Sequence, residues 1–242
     1  MSIQHWQFEL GGGVSIELRA KGDIAINDTP ELRLSLQAHL PGYSPQALGV
    51  PNLFIGLCQR EDDEEGWAVR RGKNREYVII NSRFDDSLQK DLPHILYHAA
   101  RIEWLKRGIF PAHAACVGTE EEGYVLIMGP SGAGKTSATL ECAQGWGLEV
   151  FSGDKTLLFP TSETSLIALS GTQVLTTRGA DHEAWGDLIK SSTPLGGRHA
   201  VVIDDVWKSE SPFVRIKGIV MLALGHDHQD VWERIDQPMY SL

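Results

Sequence analysis

Cysteine is scarce in this chain: Cys58, Cys116 and Cys142 are its only three, and they are scattered. An odd, dispersed set offers neither a disulfide framework nor metal-ligand spacing, and suits small buried side chains in a reducing compartment. Long apolar runs are missing too; no stretch of about 18 apolar residues exists to span a bilayer. Met1-Ser2-Ile3-Gln4-His5-Trp6 has neither the charged start nor the apolar core of a signal peptide, so a cytoplasmic location is expected. Basic residues are outnumbered, 22 Lys and Arg against 32 Asp and Glu, for a net charge of −10. A surface that acidic argues against nonspecific binding to nucleic acid or to an anionic membrane. Internal repeats, low-complexity tracts and long linkers are absent as well. What is present is ordinary globular composition over 242 residues, 42% of them hydrophobic. That is enough for one sizeable core, or for a small and a larger unit.

The first ninety residues read as β-rich. Trp6-Gln7-Phe8-Glu9-Leu10 and Val14-Ser15-Ile16-Glu17-Leu18 both alternate, and Gly11-Gly12-Gly13 lies between them. Period two on either side of a glycine turn predicts a hairpin. Leu53 to Cys58 and Tyr77 to Ile80 read as further strands, and Glu61-Asp62-Asp63-Glu64-Glu65 as a solvated acidic loop. Near Asp91 the period changes. Leu92, Ile95, Leu96, Ala99, Ile102 and Leu105 recur at steps of three and four, which predicts a helix with Gly108 as its C-cap and Pro111 preventing continuation. His113 to Val117 reads as a strand and Thr119 to Gly123 as a hairpin turn. Leu148 to Ser152 is a strand ending at Gly153-Asp154, Ala180 to Ile189 a short helix, and Ala200 to Ile203 and Ile216 to Leu224 two more strands. The composition shift divides the chain into a β-rich region, residues 1–90, and an α/β region, residues 91–242.

The most informative segment is Gly129-Pro130-Ser131-Gly132-Ala133-Gly134-Lys135-Thr136. It fits G-x-x-x-x-G-K-S/T, the phosphate-binding loop. The apolar run Tyr124 to Met128 precedes it and a helix-prone stretch from Thr136 follows, which is the strand–loop–helix context the motif needs. Glycines let several backbone N–H groups turn toward one anion, and the new helix adds the positive end of its dipole. Lys135 would reach the terminal phosphates and Thr136 would place its hydroxyl on Mg²⁺. A phosphate loop reads phosphates, so ATP and GTP both fit it. It also names no reaction. A group must handle the nucleophile, and two acids compete on the residues alone. Asp154 ends a predicted strand which, if it lies beside the loop's own strand, opens onto the same crevice. It is equally good turn chemistry. Asp204, with Asp205, ends the apolar strand Ala200 to Ile203 in the manner of Mg²⁺-binding aspartates. Arg178 and Arg198 are candidates to steady transferring phosphate, against the plainer reading of solvated surface arginines. Lys155 stands equally near. Trp146 and Trp185 are candidates for stacking on a base, against the plainer role of core filler.

Residues 109–158 resemble the catalytic domain of HPr kinase/phosphorylase and its bacterial relatives. The resemblance rests on His113-Ala114 on a strand, a hairpin, and a loop of the form G-x-S-G-x-G-K-S/T met by Gly129 to Thr136 with Ser131. A helix follows, and then a strand, Leu148 to Asp154, where the family carries an acidic pair. Arg107-Gly108-Ile109 and the helix before them resemble relatives too, and Val214 to Leu224 is similar to a late family strand. Residues 1–90 carry no such likeness. The resemblance implies an α/β fold of the HPr kinase-like P-loop type with a mixed sheet, and an ATP-dependent kinase acting on a hydroxyl. The acceptor it implies is a serine of a peptide or protein, as in shorter relatives that phosphorylate lasso-peptide precursors. By the same likeness, Gly129, Ser131, Gly132, Ala133, Gly134, Lys135, Thr136 and Ser137 bind the nucleotide. Thr136 and Asp154 hold Mg²⁺, and Asp154, His113, Lys135 and Arg178 carry catalysis. The family's acidic pair is Gly153-Asp154 here, which leaves one carboxylate: enough for forward transfer, and a departure that bears on the reverse reaction. Outside the resemblance, His113 reads as a half-buried strand histidine. A small-molecule hydroxyl acceptor and a nucleotide-switched binding protein using Asp204 are the alternatives. The family often forms rings, so a homo-oligomer is an open expectation; residues 1–90 are left for substrate or partner binding.

Overall fold

The computed structural model describes residues 3–21, 26, 28–46, 49–59, 67–71, 76–81, 86–178, 192–203 and 207–223. The acidic loop at 61–65, the helix expected over 180–189, Trp185, Asp204 and Asp205 all lie outside the described residues.

The alternating N-terminal segments form the expected hairpin. Strand β1 (Ile3–Leu10) pairs antiparallel with β2 (Val14–Lys21), Trp6 opposite Leu18 and Leu10 opposite Val14. Gly12 and Gly13 turn the chain at φ 68° and 70°, left-handed values that glycine adopts without a Cβ penalty. Strand β3 (Leu53–Gln59) runs parallel to β2, so the chain must cross over between them. Helix α1 (Pro30–His39) is part of that crossover. Sequence periodicity did not predict it, yet its start is written plainly: Thr29 Oγ1 accepts the Leu32 N–H, Pro30 takes N1 and Glu31 sits in the first turn. Strands β4 (Trp67–Arg71) and β5 (Glu76–Asn81) complete the sheet in the order β1-β2-β3-β5-β4.

Helix α2 (Asp86–Lys106) begins earlier than Asp91 and carries Pro93 in its interior. It ends as expected: Gly108 turns at φ 71° and the Ile109 N–H bonds the Trp104 carbonyl. Its apolar face is buried chiefly with the region that precedes it in sequence. Leu92, Leu96, Ala100 and Trp104 pack with Leu32 and Leu36 of α1, with Leu40 just past its end, and with Ile16, Leu18, Leu53, Ile55 and Leu57 of the sheet. Each such Leu or Ile contributes about 1.5–3 kcal/mol of burial. Trp104 Nε1 donates to the Gly11 carbonyl at 2.8 Å, and Arg107 donates to those of Gly12 and Gly13, so the glycine turn is clamped by the helix's end. The composition shift at residue 90 is therefore no break in packing.

A second, curled sheet has the order β6-β10-β11-β15-β8-β7-β9. Its strands are β6 (Phe110–Ala112), β7 (Ala114–Thr119), β8 (Gly123–Met128), β9 (Glu149–Ser152), β10 (Thr156–Ser162), β11 (Ser165–Gly171) and β15 (Val214–Met221). Strands β15 and β8 are parallel; the other neighbours are antiparallel. Helix α3 (Lys135–Trp146) covers one face, Leu140 and Ala143 packing on Ala115, Val117, Ile127 and Val150. Thr156 Oγ1 donates to the Ala114 carbonyl at 2.7 Å, tying β10 to the other limb of the curl. A small antiparallel sheet, β12 (Val174–Thr177), β14 (Arg198–Val202) and β13 (Thr193–Leu195), completes a mixed α/β architecture. The three cysteines remain free.

Candidate active site at one edge of the second sheet

Strand direction decides what meets at this edge. The glycine loop leaves the end of β8 at Met128. Strand β7 is antiparallel to β8, so its first residue, Ala114, pairs with Met128 and His113 stands beside the loop. Strand β9 is antiparallel to β7, so its end returns to the same edge, Ser152 opposite Cys116. Asp154 therefore does not arrive on a strand adjacent to β8; β7 lies between them. Two reversals still bring the acid to the edge where the loop begins.

His113 Nε2 lies 2.8 Å from Asp154 Oδ1, and Lys155 Nζ donates to Oδ2 at 3.3 Å. The buried Thr172 hydroxyl oxygen accepts the backbone N–H of both Asp154 (2.9 Å) and Lys155 (3.1 Å), which fixes the turn. Burial pushes the Asp154 carboxyl up, but Lys155 and His113 outweigh it and hold the acid below its usual range. Asp154 is ionised at neutral pH, with a cation on one oxygen and an imidazole on the other. His113 is 55% exposed and Lys155 15%, so the lysine is the more strongly committed partner.

In the loop, Gly132 and Gly134 take φ 86° and 87°. Gly134 caps α3 without any side-chain bond, and a Cβ there would meet nothing within 4 Å. The first N–H groups of α3 thus face open space at the positive end of a helix dipole, which favours an anion. Lys135, 8% exposed, folds its ammonium onto the Gly129 carbonyl at 2.8 Å and that of Pro130 at 3.2 Å. Thr136 Oγ1 donates to the Thr176 carbonyl at 3.3 Å. Ser131 is exposed, Ala133 buried, and Ser137 follows in the first turn of α3. The small sheet supplies arginines: the Arg178 guanidinium lies 3.9 Å from where a Gly132 Cβ would stand, and Arg198 Nη1 donates to Thr176 Oγ1 at 3.3 Å.

One cavity of about 1240 Å³ joins these groups, running past Ser131, Lys135, Thr136, Asp154 and Arg178. Its far wall was not foreseen. It comes from the first sheet's helices: Glu31, Ser35 and His39 of α1, and Asp91, His94, Tyr97 and His98 of α2. Lys155 Nζ sits 5.3 Å above the Tyr97 ring, so the two walls touch. His39 Nδ1 lies 2.8 Å from the Ser35 carbonyl, and the His39 and His94 rings meet edge-on with centroids 4.4 Å apart. Burial holds the His39 imidazole down to about 4, with nearby Lys155 acting in the same direction. Burial, then Lys155, also lowers His94. The available signal was the spacing of His94, Tyr97 and His98 on one helical stripe, together with the Thr-Pro-Glu start of α1.

Trp146 lies at the far end of α3, 71% exposed, and does not line the cavity. Among the described residues no three His, Cys, Asp or Glu side chains form a group that could hold a metal ion. The oxygen donors at the edge include the Thr136 hydroxyl and a carboxylate, Asp154. That set fits Mg²⁺, which keeps several waters and takes one or two carboxylates together with phosphate oxygens.

Fold and site together define a mixed α/β protein whose glycine loop, ion-paired acid and arginine-bearing small sheet share one cavity with helices α1 and α2 of the first sheet. No protein-family model matches the chain, and no curated protein matches it. No helix among the described residues is long and apolar enough to cross a membrane.

Proposed function

We propose that this chain is an HPr kinase-like, ATP-dependent kinase that transfers the γ-phosphoryl group to a hydroxyl, with a serine of a peptide or protein as acceptor. The observation that carries the reading is the convergence of an uncapped glycine loop and a His113–Asp154–Lys155 cluster on one cavity. Neither feature alone names phosphoryl transfer; together they supply an anion cradle and a group for the nucleophile.

Backbone N–H groups from Ser131 to Ser137 would hold the triphosphate, joined by Lys135 once its ammonium leaves the Gly129 and Pro130 carbonyls. Thr136 and Asp154 would hold Mg²⁺, which neutralises charge on the phosphate oxygens when bound. Asp154 orients the acceptor hydroxyl. The serine oxygen forms a bond to the γ-phosphorus as the bond to the β-bridging oxygen breaks; the serine proton passes to Asp154 and ADP leaves. A carboxyl held below its usual range is a weak base, so orientation is its larger contribution and the proton moves late in a loose transition state. Arg178 and His113 steady the equatorial oxygens.

The test is intact-mass analysis after incubation with Mg-ATP and serine peptides, beside calorimetry of nucleotide uptake. One added phosphoryl group on the peptide is expected. Asp154→Asn should lower transfer by about 10²- to 10⁴-fold while nucleotide is still taken up. Full transfer activity in Asp154→Asn would remove the acid from the mechanism; absence of any nucleotide uptake by the unaltered protein would remove the reading altogether.

A further inference from the structure

The cavity is larger than a nucleotide site requires. Typical small-molecule pockets hold about 300–1,000 Å³, and this one holds about 1240 Å³. The phosphate-side groups occupy one wall; the α1–α2 wall opposite has a different chemistry.

Among its described lining residues that wall has two carboxylates, Glu31 and Asp91, and no lysine or arginine. Both residues are exposed, and both line the cavity. His39 and His94 do not offset this charge. A carbonyl oxygen only accepts, so His39 Nδ1, bonded to the Ser35 carbonyl, carries the hydrogen and Nε2 keeps its lone pair. Burial and Lys155 keep His39 and His94 neutral at physiological pH. Lys155 is engaged by Asp154 on one side and the Tyr97 ring on the other. The wall therefore offers hydrogen-bond acceptors and negative charge to whatever lies across from the phosphate loop. A ligand there must bring donors and positive charge.

We propose that the α1–α2 wall is the acceptor subsite and that it selects a serine whose neighbouring side chain is positively charged. This rests on the kinase reading above and assigns the specificity of that reaction to the first sheet's helices. The acceptor enters as a single peptide segment: the cavity takes a nucleotide and a chain side by side, with the serine hydroxyl at Asp154 and the flanking lysine or arginine toward Glu31 and Asp91.

A positional-scanning library of short serine peptides, incubated with Mg-ATP and read by mass spectrometry, tests this. Lysine and arginine should be enriched about tenfold over aspartate and glutamate at one or two positions flanking the phosphorylated serine, the combined size of attraction to two exposed carboxylates in the one case and repulsion from them in the other. In the double variant Glu31→Lys, Asp91→Lys the preference should reverse. In the milder pair Glu31→Gln, Asp91→Asn, which keeps shape and is the safer fold, it should fall below about threefold. Calorimetry on the same preparations should find nucleotide affinity within about twofold of the parent. Transfer with no charge preference, or a preference that survives both double variants, overturns this subsite and leaves the kinase reading standing. Nucleotide uptake with no transfer to any peptide overturns both.

Discussion

Replacing Gly153 with aspartate would restore the second acid of the pattern that residues 109–158 resemble, and the structure gives a reason why this chain lacks it. A Cβ at Gly153 would stand 2.8 Å from the Val174 carbonyl oxygen and 3.1 Å from Leu175 Cδ2. The closer contact is backbone, so rotation of a neighbouring side chain cannot relieve it. Strand β12 roofs the end of β9, and the Gly153 N–H already bonds the Thr172 carbonyl across the same seam at 2.9 Å. Gly153→Ala therefore costs about 1–3 kcal/mol, the usual range for overpacking. Gly153→Asp adds the burial of a carboxylate facing a carbonyl oxygen, several kcal/mol more, so about 4 kcal/mol or more in all. At about 2–4 °C per kcal/mol for a domain of this size, the alanine variant should melt about 2–12 °C lower and the aspartate variant at least about 8 °C lower. Transfer should fall in both, because Asp154 hangs from Thr172 by the next N–H along and moves with the seam. Thermal unfolding by circular dichroism, followed by a transfer assay on folded material, reads both effects. A Gly153→Ala protein melting within 1 °C of the parent would refute the packing argument. A stable Gly153→Asp protein would refute the claim that β12 excludes the second acid.

Lys135→Ala should weaken nucleotide binding about 10- to 150-fold, the worth of a hydrogen bond to a charged group, and calorimetry measures it directly. Trp104→Ala should destabilise by about 3–5 kcal/mol, since the indole is fully buried and its N–H holds the Gly11 carbonyl; urea unfolding checks this. Acid should weaken the fold through Glu17, whose carboxyl is drawn from 4.5 down to about 2, chiefly by its hydrogen bond to Arg19, with His5 assisting against the opposing effect of burial. A carboxyl lowered on folding lends stability above about pH 4.5, and that stability is lost as pH falls toward 2. Glu17→Gln should accordingly flatten the fall in melting temperature between those two pH values; an unchanged slope would show that the ion pair contributes nothing.

What could be read from the residues was whatever rests on short-range pattern. The Trp6–Leu18 hairpin, the strand into the glycine loop, and α2 with its Gly108 stop all carry strong local periodicity, and each forms where that periodicity predicts, apart from the earlier start of α2 at Asp86. Strands β10 and β11 carry little: Thr156–Ser162 runs from buried apolar residues into Pro160 and an exposed polar end, and Ser165–Gly171 alternates weakly. Helix α1 is ten residues, short enough that capping signals outweigh its apolar stripe. The acid at the site was legible as the end of a strand, but not that β7 would stand between that strand and the loop, because strand order is a tertiary choice. The same limit hid the far wall. Nothing local to Glu31, His39, Asp91 or Tyr97 reports a phosphate loop on the far side of a cavity.

That wall bears on how the two sheets are related. Trp104 and Arg107 bind the glycine turn of the first hairpin, while Ile109, one step past the helix, is buried in the first core together with Leu157 of the second sheet. Tyr97, on the same helix, lies under the lysine that neutralises Asp154. Helix α2 is thus held at two points, by packing at Trp104 and by a cation at Tyr97. A displacement of the first sheet cannot leave Asp154 untouched, because Lys155 would have to give up either the ring or the carboxylate. Removing the ring, as in Tyr97→Ala, should therefore loosen Lys155 and reduce transfer, with nucleotide uptake unaffected because the loop's N–H groups and Lys135 lie on the opposite wall. Equal losses in both measurements would mean that the first sheet merely supports the fold.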